Sequence, residues 1–591
     1  MVIWAWHFLV LLVLLGISFL LYNRTLDLGF LSVDDPDYVQ NNPLIENLGS
    51  TNLRTIFTKS YQANYAPANL LSYSLDVALD HGKNPRAIHL SNLLWYCFVV
   101  VGVYLLGLSL HRQILAAAAA ALLFVLHPAH VEVVAWISSR KDLLATGFAV
   151  LSATSYLMWR QPGRHHLAWY GASLFCFVMA SASKQSVLLL PLVLLVWDVL
   201  VEKRMHWRVL VEKVPFGLVT LFFGWMTWRA QPATNQTWHA FVLAATELTN
   251  LQLLLGIGDF VLYRPAPDAA TAPTWLKAGA VILAAATWLI PFALWARRQP
   301  LWAFLSAWIL VQMIPPMLLN FIVPITDRYL FLPSVGMCLL LAGVAVAAAA
   351  TPTFVRMPWL PWVPIALVAG FWGMKASRYV AEWNDPRTVW YGAHLKTGNA
   401  QVLQFLGEVY HNAADRVGNW AKSGTGLDVT NELHLARAIL QDEAKLDGVR
   451  SEWSSATQTK TNSLAYRDLL WNLAWQQYLD AVEHRGNLSM PNLFMNRGRL
   501  LVSRGKPEQA ISEFQTALAF AQASHFATTR YGTSTHALRA IAVAYWNMRK
   551  YREAQQWMLK AQEVQRKSGS IFVPTIDHEI EQLKALLGSA S

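Results

Sequence analysis

The sequence predicts an all-α protein, in which a polytopic membrane domain of about eleven transmembrane helices is followed by a soluble domain of helical repeats. Of the 591 residues, 55% are hydrophobic and only 14% are charged, and the mean hydropathy is +0.31. This composition is too apolar for an ordinary soluble globular protein and excludes a disordered chain. Apolar runs recur as far as residue 375, after which charged residues appear every few positions.

Each span needs about 20 consecutive apolar residues to cross the hydrocarbon core of a bilayer. The first run, 3–22, lacks a basic leader and an Ala-x-Ala-like cleavage motif, so we interpret it as a retained helix rather than a signal peptide. The apolar segment 240–263 contains Glu247 and Asp259, and it is open whether this segment is re-entrant, interfacial or two short crossings. Spans are predicted at 3–22, 89–110, 114–136, 142–159, 167–183, 185–201, 210–228, 274–296, 301–320, 329–350 and 357–375.

Basic residues in the short loops predict the orientation of these spans. The pairs His111-Arg112, Lys203-Arg204 and Arg297-Arg298 fall on one side of the span map, which the positive-inside rule assigns to the cytoplasm. The amino terminus is then cytoplasmic, and the first loop, 23–88, and everything after residue 376 lie on the outer side. The net charge of +11 is explained as a topology signal, so nucleic acid is not a predicted partner.

The polar part of the chain divides into a predicted linker, 376–398, and a predicted repeat domain, 399–591. Small residues at a fixed spacing allow paired helices to approach closely, as they do in tetratricopeptide repeats. The same spacing between alanines occurs in two stretches, at Ala510 and Ala517 and again at Ala554 and Ala561.

Three carboxylates, Asp34, Asp35 and Asp37, crowd together in the first loop. Like charges at this spacing raise the pKa of one group or recruit a cation, and either result suits a general base. The alternative is a solvated turn in which an Asp precedes Pro36.

A second polar group, His127, His130 and Glu132, lies at a span boundary. The spacing is compatible with metal ligation, although no further ligand follows at a fixed distance. The alternative is a hydrogen-bonded turn at the membrane surface.

Four basic residues lie on the predicted outer side, against the positive-inside trend. Cations that face the outer leaflet are suited to hold a phosphate, with Arg making paired contacts and Lys acting as a point charge. The alternative is a set of separate ion pairs with Asp142, Asp327 or lipid headgroups. The four residues are Arg140, Lys141, Lys184 and Arg328.

The order of these motifs resembles the transmembrane and tetratricopeptide-repeat O-mannosyltransferases and their bacterial relatives, a family similar to the GT-C glycosyltransferases. The resemblance covers nearly the whole chain, and it depends on the order of the motifs together with the domain layout rather than on one motif. The motifs are Asp34-Asp35, Asn64-Tyr65-x-Pro67, His89-x2-Asn92, His127-Pro128-x-His130-x-Glu132, Arg140-x-Asp142, Ser183-Lys184-Gln185 and Asp327-Arg328-Tyr329.

The resemblance implies a GT-C type membrane domain, 1–375, that transfers a sugar from a polyprenyl phosphate to a Ser or Thr hydroxyl with inversion. It implies a hexose such as mannose, Asp34 as the catalytic base, and Asp35 as the second candidate for that role. The donor phosphate would be bound by Arg140, Lys141, Lys184 and Arg328. The sugar or acceptor would contact Tyr65, His89, His127, His130, Glu132, Asp142, Asp327 and Tyr329.

No cofactor is required on this interpretation, because protein cations can neutralise the departing phosphate, and a divalent metal is an option. The expected location is a bacterial inner membrane, with the catalytic loop and the repeats in the periplasm. The expected partners are membrane lipids, the lipid-linked donor and an acceptor protein or peptide held by the repeats. Two alternatives are transfer to a lipid or cell-surface glycan, and a non-catalytic membrane-anchored repeat scaffold.

Overall fold

The structure, a computed structural model, forms helices joined by loops, and the predicted all-α fold is confirmed for the residues it describes. The chain divides into a first compact unit that ends at Asn384 and a second that begins at Asp385. The described residues are 2–31, 33–62, 64–161, 167–230, 239–265, 267–269, 272–318, 325–354, 356–399, 401–424, 427, 432, 435–437, 439–440, 442–454, 460–483, 491–524, 528–568 and 573–589.

The structure describes sixteen α-helices in the ranges of the first unit given above. They are α1 (Val2–Tyr22), α2 (Ser50–Thr58), α3 (Pro67–Asp80), α4 (Pro85–His111), α5 (Ile114–Leu126), α6 (His130–Ala135), α7 (Arg140–Arg160), α8 (Leu167–Ser183), α9 (Leu190–Leu200), α10 (Trp207–Ala230), α11 (Ala240–Leu254), α12 (Thr274–Thr287), α13 (Leu289–Ala296), α14 (Pro300–Leu318), α15 (Phe331–Ala349) and α16 (Val363–Trp383).

Six helical segments among the described residues are long and apolar enough to cross a membrane, and four further apolar helices are shorter. These segments support a multi-pass membrane protein, while the count of eleven crossings stays a prediction. The six are Trp4–Asp27, Pro85–His111, Trp207–Ala230, Thr274–Ala296, Pro300–Met317 and Asp327–Ala349.

The predicted span 114–136 is wrong as a single helix. Helix α5 ends at Leu126, and His127 adopts an extended backbone with φ −68° and ψ 123°. The residue before a proline is pushed away from the helical region, so Pro128 forces this break. The chain then turns into the short helix α6, which carries Glu132 in its first turn.

The ambiguous segment 240–263 forms one helix, α11, which ends at Leu254. The loop that follows passes through Gly256 with a φ of +76°, and a Cβ there would lie 2.0 Å from Nε1 of Trp372. Only glycine combines this left-handed backbone with so close an approach. Lys375 closes the loop by donating hydrogen bonds to the Gly256 and Gly258 carbonyls, at 2.9 and 2.6 Å.

The first loop is folded rather than extended. A short helical turn at Pro36–Gln40 and helices α2 and α3 enclose a hydrophobic cluster that includes Tyr38, Tyr73 and Ile137. The Tyr73 hydroxyl donates a 2.7 Å hydrogen bond to the Ile137 carbonyl. The loop is therefore packed against the segment that connects α6 with α7.

The second unit is also helical. The predicted linker 376–398 is helical as well, because α16 continues to Trp383 and the next helix begins at Pro386. Among the described residues, the helices of this unit whose bounds are given are α17 (Pro386–Thr397), α18 (Gln401–Ser423), α19 (Glu443–Ser454), α20 (Thr461–Glu483), α21 (Pro491–Ser503), α22 (Pro507–Ala523), α23 (Ser534–Asn547), α24 (Tyr551–Ser568) and α25 (Val573–Ser589).

Two helix pairs, α21 with α22 and α23 with α24, contain the alanines that the spacing singled out. Ala510, Ala517, Ala554 and Ala561 are all fully buried. Gly498 packs against the ring of Phe514, and a Cβ at this glycine would lie 2.3 Å from a ring carbon. Small residues thus set the spacing of these helices, while membership of the tetratricopeptide class stays a prediction.

Candidate active site

Asp35 links the first loop to the start of α7. Its carboxylate is 1% exposed and accepts hydrogen bonds from the Leu31 amide at 2.7 Å, the Ser138 amide at 3.0 Å and the Ser138 hydroxyl at 2.5 Å. Burial raises the pKa of Asp35 to about 7, against the opposing effect of these donors. Both oxygens are occupied, so Asp35 holds the loop in place.

Asp34 lies beside Asp35 but is open to solvent. Its side chain is 36% exposed, and its nearest cation is the Nζ of Lys141 at 3.9 Å. Lys141 in turn lies 4.8 Å from the ring centroid of Tyr38. This carboxylate is accessible to a ligand and has a cation within range.

Lys184, between α8 and α9, forms a second acid–base pair. Its Nζ donates to Oδ1 of Asp142 at 2.5 Å and lies 5.3 Å from the ring centroid of Tyr329. Burial lowers the pKa of Lys184 to about 8 despite the neighbouring Asp142 carboxylate. The second oxygen of Asp142 is buried and has no hydrogen-bond partner among the described residues.

Arg328, which precedes α15, forms a third pair with Glu132 on α6. Its Nη1 donates to Oε1 of Glu132 at 2.5 Å, and its backbone amide lies 3.3 Å from Oε2. The guanidinium also lies 4.9 Å from the Trp136 ring centroid and 5.4 Å from that of Tyr329. Glu132 is fully buried, whereas the Arg328 side chain keeps 16% of its surface exposed.

The three pairs form one electrostatic group, which we call the acid–base cluster: Asp34, Lys141, Glu132, Asp142, Lys184 and Arg328. The charge on Lys184 interacts with those of Arg328 and Lys141, and the charge on Arg328 interacts with those of Asp34 and Asp142. These residues come from loops that the span map predicts on one side of the membrane. The structure therefore brings together groups that are far apart in the chain.

The sequence analysis did not single out Arg264, a cation that bonds to Asp327 next to the acid–base cluster. Arg264 donates from Nη1 to Oδ1 of Asp327 at 2.9 Å and from Nη2 to the Asp259 carbonyl. Asp327, predicted to contact sugar or acceptor, is fully buried in this pair. The only sequence signal was a basic residue directly after an apolar segment, which is a common feature of membrane proteins.

Arg140 lies outside the cluster, although the sequence predicted a phosphate contact for it. Its side chain is fully buried, with Nε donating to Asn92 at 2.6 Å, Nη2 to the Ile88 carbonyl at 2.8 Å, and Nη1 to the Asp76 carboxylate. The guanidinium also lies 4.4 Å from the ring centroid of Tyr73. Every nitrogen of this side chain has a protein partner, so we assign Arg140 a structural role.

The predicted histidine ligands are buried in helix packing. His127 bonds through Nε2 to the Leu254 carbonyl at 2.9 Å, and His130 bonds through Nε2 to the Ser334 hydroxyl at 2.8 Å. His89 lies 3.4 Å from the Gly29 carbonyl. Within the described ranges, no group of three His, Cys, Asp or Glu side chains is arranged to hold a metal.

Tyr65, predicted to contact sugar or acceptor, packs inside the first unit. Its hydroxyl donates to the Phe57 carbonyl at 2.9 Å, and its ring lies 5.9 Å from that of Phe223. Of the aromatic candidates, Tyr329 is the one beside the acid–base cluster.

A further charged group, also missed from the sequence, ties three helices together. Asp198 on α9 is fully buried and accepts from the Tyr156 hydroxyl at 2.6 Å, Arg160 Nε at 3.0 Å and Lys213 Nζ at 2.5 Å. Arg160 and Lys213 belong to α7 and α10. A single Asp inside an apolar run was its one sequence signal.

The fold and this site define a class: a multi-pass, all-helical membrane protein with paired acids and bases at the ends of its helices. No family model matches the chain. In sequence, the chain is 30% identical over 200 residues to the protein O-mannosyl-transferase Tmtc2 of Drosophila melanogaster, a match that covers 31% of this chain and 21% of that protein. It is 32% identical over 154 residues to human TMTC1, covering 24% and 17%, and 27% identical over 180 residues to human TMTC3, covering 29% and 19%.

The matched region spans about a fifth of the length of these relatives. The similarity confirms that the chain is related to the transmembrane and tetratricopeptide-repeat O-mannosyltransferases. Two solved structures also align with it, both with a TM-score of 0.29. ArnT from Cupriavidus metallidurans bound to undecaprenyl phosphate is 13% identical, with 85% of this chain and 81% of that chain covered. An Archaeoglobus fulgidus oligosaccharyltransferase tethered to an acceptor peptide is 15% identical, with 85% and 58% covered.

Proposed function

We propose that the protein is a GT-C type membrane glycosyltransferase that moves a sugar from a polyprenyl phosphate to a Ser or Thr hydroxyl of a protein. The observation that carries this proposal is the solvent-accessible Asp34 carboxylate, 3.9 Å from Lys141, in one charged group with Lys184 and Arg328. A general base and a set of cations are the two components that displacement at a sugar phosphate requires. Similarity to protein O-mannosyl-transferases supports the same activity and favours mannose as the sugar.

Asp34 is the proposed catalytic base. It accepts the proton of the acceptor hydroxyl while the hydroxyl oxygen attacks the anomeric carbon. The bond between that carbon and the phosphate oxygen breaks in the same step, so the configuration inverts. Asp35 cannot share this task, because both of its oxygens are buried and bonded; it positions Asp34 instead.

Lys141, Lys184 and Arg328 are the proposed partners of the departing phosphate. Each side chain keeps 15 or 16% of its surface exposed, so each cation can reach a ligand. Negative charge develops on the phosphate as the sugar leaves, and preorganised cations stabilise it most in a partly desolvated site. The acids of the cluster already pair with Lys and Arg side chains, which does not suit a metal, so no step passes through one.

The remaining parts of the proposal concern the surroundings of the reaction. Asp142 and Glu132 orient sugar or acceptor hydroxyls when their cations turn to the phosphate, and Tyr329 provides an aromatic face beside both. The second unit captures the acceptor protein, which raises the acceptor's effective concentration. The site faces the periplasm of a bacterium whose inner membrane holds the first unit.

The test is sugar transfer by the purified full-length protein in detergent, with mannosyl polyprenyl phosphate and Ser/Thr-containing peptides. Wild type is compared with Asp34→Asn and with Asp37→Asn, a matched control that removes an exposed charge from the same loop. We expect wild type and Asp37→Asn to release polyprenyl phosphate and glycosylate the peptide. Asp34→Asn should lose at least a hundredfold in rate, since a positioned base contributes about 10²–10⁴-fold.

Each other outcome has a definite meaning. Equal rates for wild type and Asp34→Asn would remove Asp34 from the mechanism. Polyprenyl phosphate release without peptide glycosylation, but with sugar on an added lipid or glycan, would replace the protein acceptor. A folded protein that shows no transfer with any donor would favour a membrane-anchored scaffold.

A further inference from the structure

Three buried polar side chains in the first unit have bonding groups that no described residue satisfies. Asn69 on α3 is 1% exposed, and neither its Oδ1 nor its Nδ2 has a hydrogen-bond partner in the part of the chain that the structure describes. The same holds for the fully buried Ser139 hydroxyl and for Oδ2 of Asp142. An unpaired buried group costs about 1–3 kcal/mol, so three of them in adjoining segments indicate a polar ligand.

Ser139 and Asp142 lie at the start of α7, where their spacing would allow them to cap the helix. A Ser before the first turn and an acid three residues later is the arrangement of a capping box. The Ser139 side chain makes no such bond, and its backbone amide donates instead to the Trp136 carbonyl at 3.0 Å. Oδ1 of Asp142 accepts from Lys184. The Ser139 hydroxyl and the second Asp142 oxygen therefore have no part in capping.

Asn69 is held beside these two residues by the packing of α3. The preceding residue, Ala68, shares a hydrophobic cluster with Ala182 at the end of α8. Four residues after Asn69, the Tyr73 hydroxyl donates to the carbonyl of Ile137, in the segment that leads into α7. Residues four apart share one face of a helix. Asn69 therefore lies on the face of α3 that meets the start of α7, next to the contact with α8.

The free groups of this pocket, which we call the amide pocket (Asn69, Ser139 and Asp142), match the hydroxyl groups of a sugar. An Asn amide has an acceptor oxygen and a donor nitrogen side by side, so it can bond to two adjacent hydroxyls at once. An ionised carboxylate oxygen only accepts, whereas a Ser hydroxyl both donates and accepts. Each hydroxyl of a sugar can supply the missing partner for any of these groups.

We infer that Asn69 determines sugar specificity by hydrogen-bonding to two adjacent hydroxyls of the donor sugar, and that Ser139 and Asp142 contact further hydroxyls. This inference deepens the proposed function and rests on it for the identity of the ligand as a sugar on a polyprenyl phosphate. Lys184, a proposed contact of that phosphate, donates to the other oxygen of Asp142 at 2.5 Å. A sugar attached directly to a phosphate at Lys184 is thus adjacent to the amide pocket.

The test measures lipid binding by the full-length protein in detergent, without acceptor peptide, through displacement of a fluorescent polyprenyl phosphate. The competing lipids are mannosyl polyprenyl phosphate and a series of derivatives that each lack one hydroxyl of the mannose. The variants are Asn69→Ala, Asn69→Asp and Ser139→Ala. The control is Ser74→Ala, at a buried residue of α3 whose hydroxyl already bonds to the Leu70 carbonyl at 3.1 Å.

We expect wild type to bind two derivatives, those that lack neighbouring hydroxyls, about tenfold more weakly than the complete mannosyl lipid, as the loss of one hydrogen bond to a buried group would give. Asn69→Ala should lose affinity for the complete lipid and show no further loss for those two derivatives. Asn69→Asp, which keeps an acceptor and loses the donor, should stay sensitive to one of the two hydroxyls. Ser139→Ala should become insensitive to a different hydroxyl, and Ser74→Ala should keep the wild-type pattern.

Thermal unfolding identifies the folded variants, and the wild-type series is informative without them. Equal binding of all derivatives by wild type would overturn the inference, as would absence of binding to any of the lipids. An unchanged pattern in folded Asn69→Ala or Asn69→Asp would also overturn it and would mean that water alone pairs with the amide.

Sugar transfer to peptides is measured separately on the same preparations. Binding that depends on Asn69 without transfer would refute the proposed function and keep the inference. Transfer by a protein that binds all derivatives equally would do the reverse.

Discussion

Asp34 and Asp35 are adjacent in the chain, yet their carboxylates have opposite surroundings. Asp35 is 1% exposed and accepts three hydrogen bonds, whereas the Asp34 side chain is 36% exposed and has Lys141 as its nearest cation. The two neighbouring carboxylates thus differ in accessibility: that of Asp35 is bonded within the loop, and that of Asp34 is open to solvent.

Replacing Asp35 by Asn should destabilise the first unit, while Asp34→Asn should not. Asp35 accepts hydrogen bonds from two backbone amides, one at each oxygen. An Asn side chain has only one oxygen, so its NH₂ group faces one of these amides. That amide then has no acceptor. An unsatisfied buried group costs about 1–3 kcal/mol. Thermal unfolding in detergent measures the loss, and equal midpoints for the two variants would show that the loop does not depend on Asp35.

Replacing Lys184 by Arg should change how donor binding depends on pH. The pKa of Lys184 is lowered to about 8, so its ammonium group is present below pH 8 and is lost as the pH rises beyond that value. Affinity for a polyprenyl phosphate should therefore fall above pH 8 in wild type. Arg stays protonated at these pH values, so Lys184→Arg should keep its affinity.

The control for this pH series is Lys83→Arg, at a Lys that pairs with Glu46 at 2.9 Å on the first loop. This variant should lose affinity above pH 8 as wild type does. A binding curve in wild type that stays flat to pH 10 would mean that Lys184 does not contact the phosphate.

Replacing Arg140 by Met should cost stability rather than donor affinity. Loss of the guanidinium leaves the Asp76 carboxylate and the Asn92 side chain without their partner in a buried setting. Breaking a buried pair in this way costs about 3–5 kcal/mol. The exposed Arg86, 3.5 Å from Asp27, provides the control, and Arg86→Met should lose less than about 1 kcal/mol.

Thermal unfolding and binding of polyprenyl phosphate are measured on the same preparations of the Arg140 and Arg86 variants. An Arg140→Met protein of normal stability that binds phosphate poorly would place Arg140 in the donor site after all.

Replacing Gly498 by Ala should destabilise the second unit. The new Cβ would lie 2.3 Å from a carbon of the Phe514 ring, and overpacking of this kind costs about 1–3 kcal/mol, more than the gain of up to about 1 kcal/mol in helix propensity. Phe514→Leu in the same chain should restore part of the loss. Gly279→Ala, where no atom lies within 4 Å of the new Cβ, should show no loss in thermal unfolding, and equal losses at both glycines would argue against the packing account.

Much of the fold could be predicted because a helix that crosses a bilayer must be apolar over most of its length, and such runs are easily recognised in a sequence. Apolar runs of about 20 residues located the helices. Because successive spans end on opposite sides of the membrane, the span map also predicted that Asp34, Lys184 and Arg328 lie on the same side, although they are far apart in the chain. The break at His127-Pro128 was missed because the apolar run continues across it.

The roles of the individual charged residues could not be predicted from the sequence in the same way. Arg140 and Lys184 both appear as cations on the outer side, and only tertiary contacts show that Arg140 is enclosed by Asp76, Asn92 and Ile88. Asp198 was overlooked because a lone Asp in an apolar run does not reveal its partners on other helices.

The cations Lys184 and Arg328 already have counterions in this structure, namely Asp142 and Glu132. On the proposed function, an arriving phosphate would pair with these two cations, and the two carboxylates would be released as it binds. The sugar of the donor offers hydroxyl groups to these carboxylates, whereas bare polyprenyl phosphate offers none. On the proposed function, departure of the spent lipid should therefore restore the pairs of Lys184 with Asp142 and of Arg328 with Glu132.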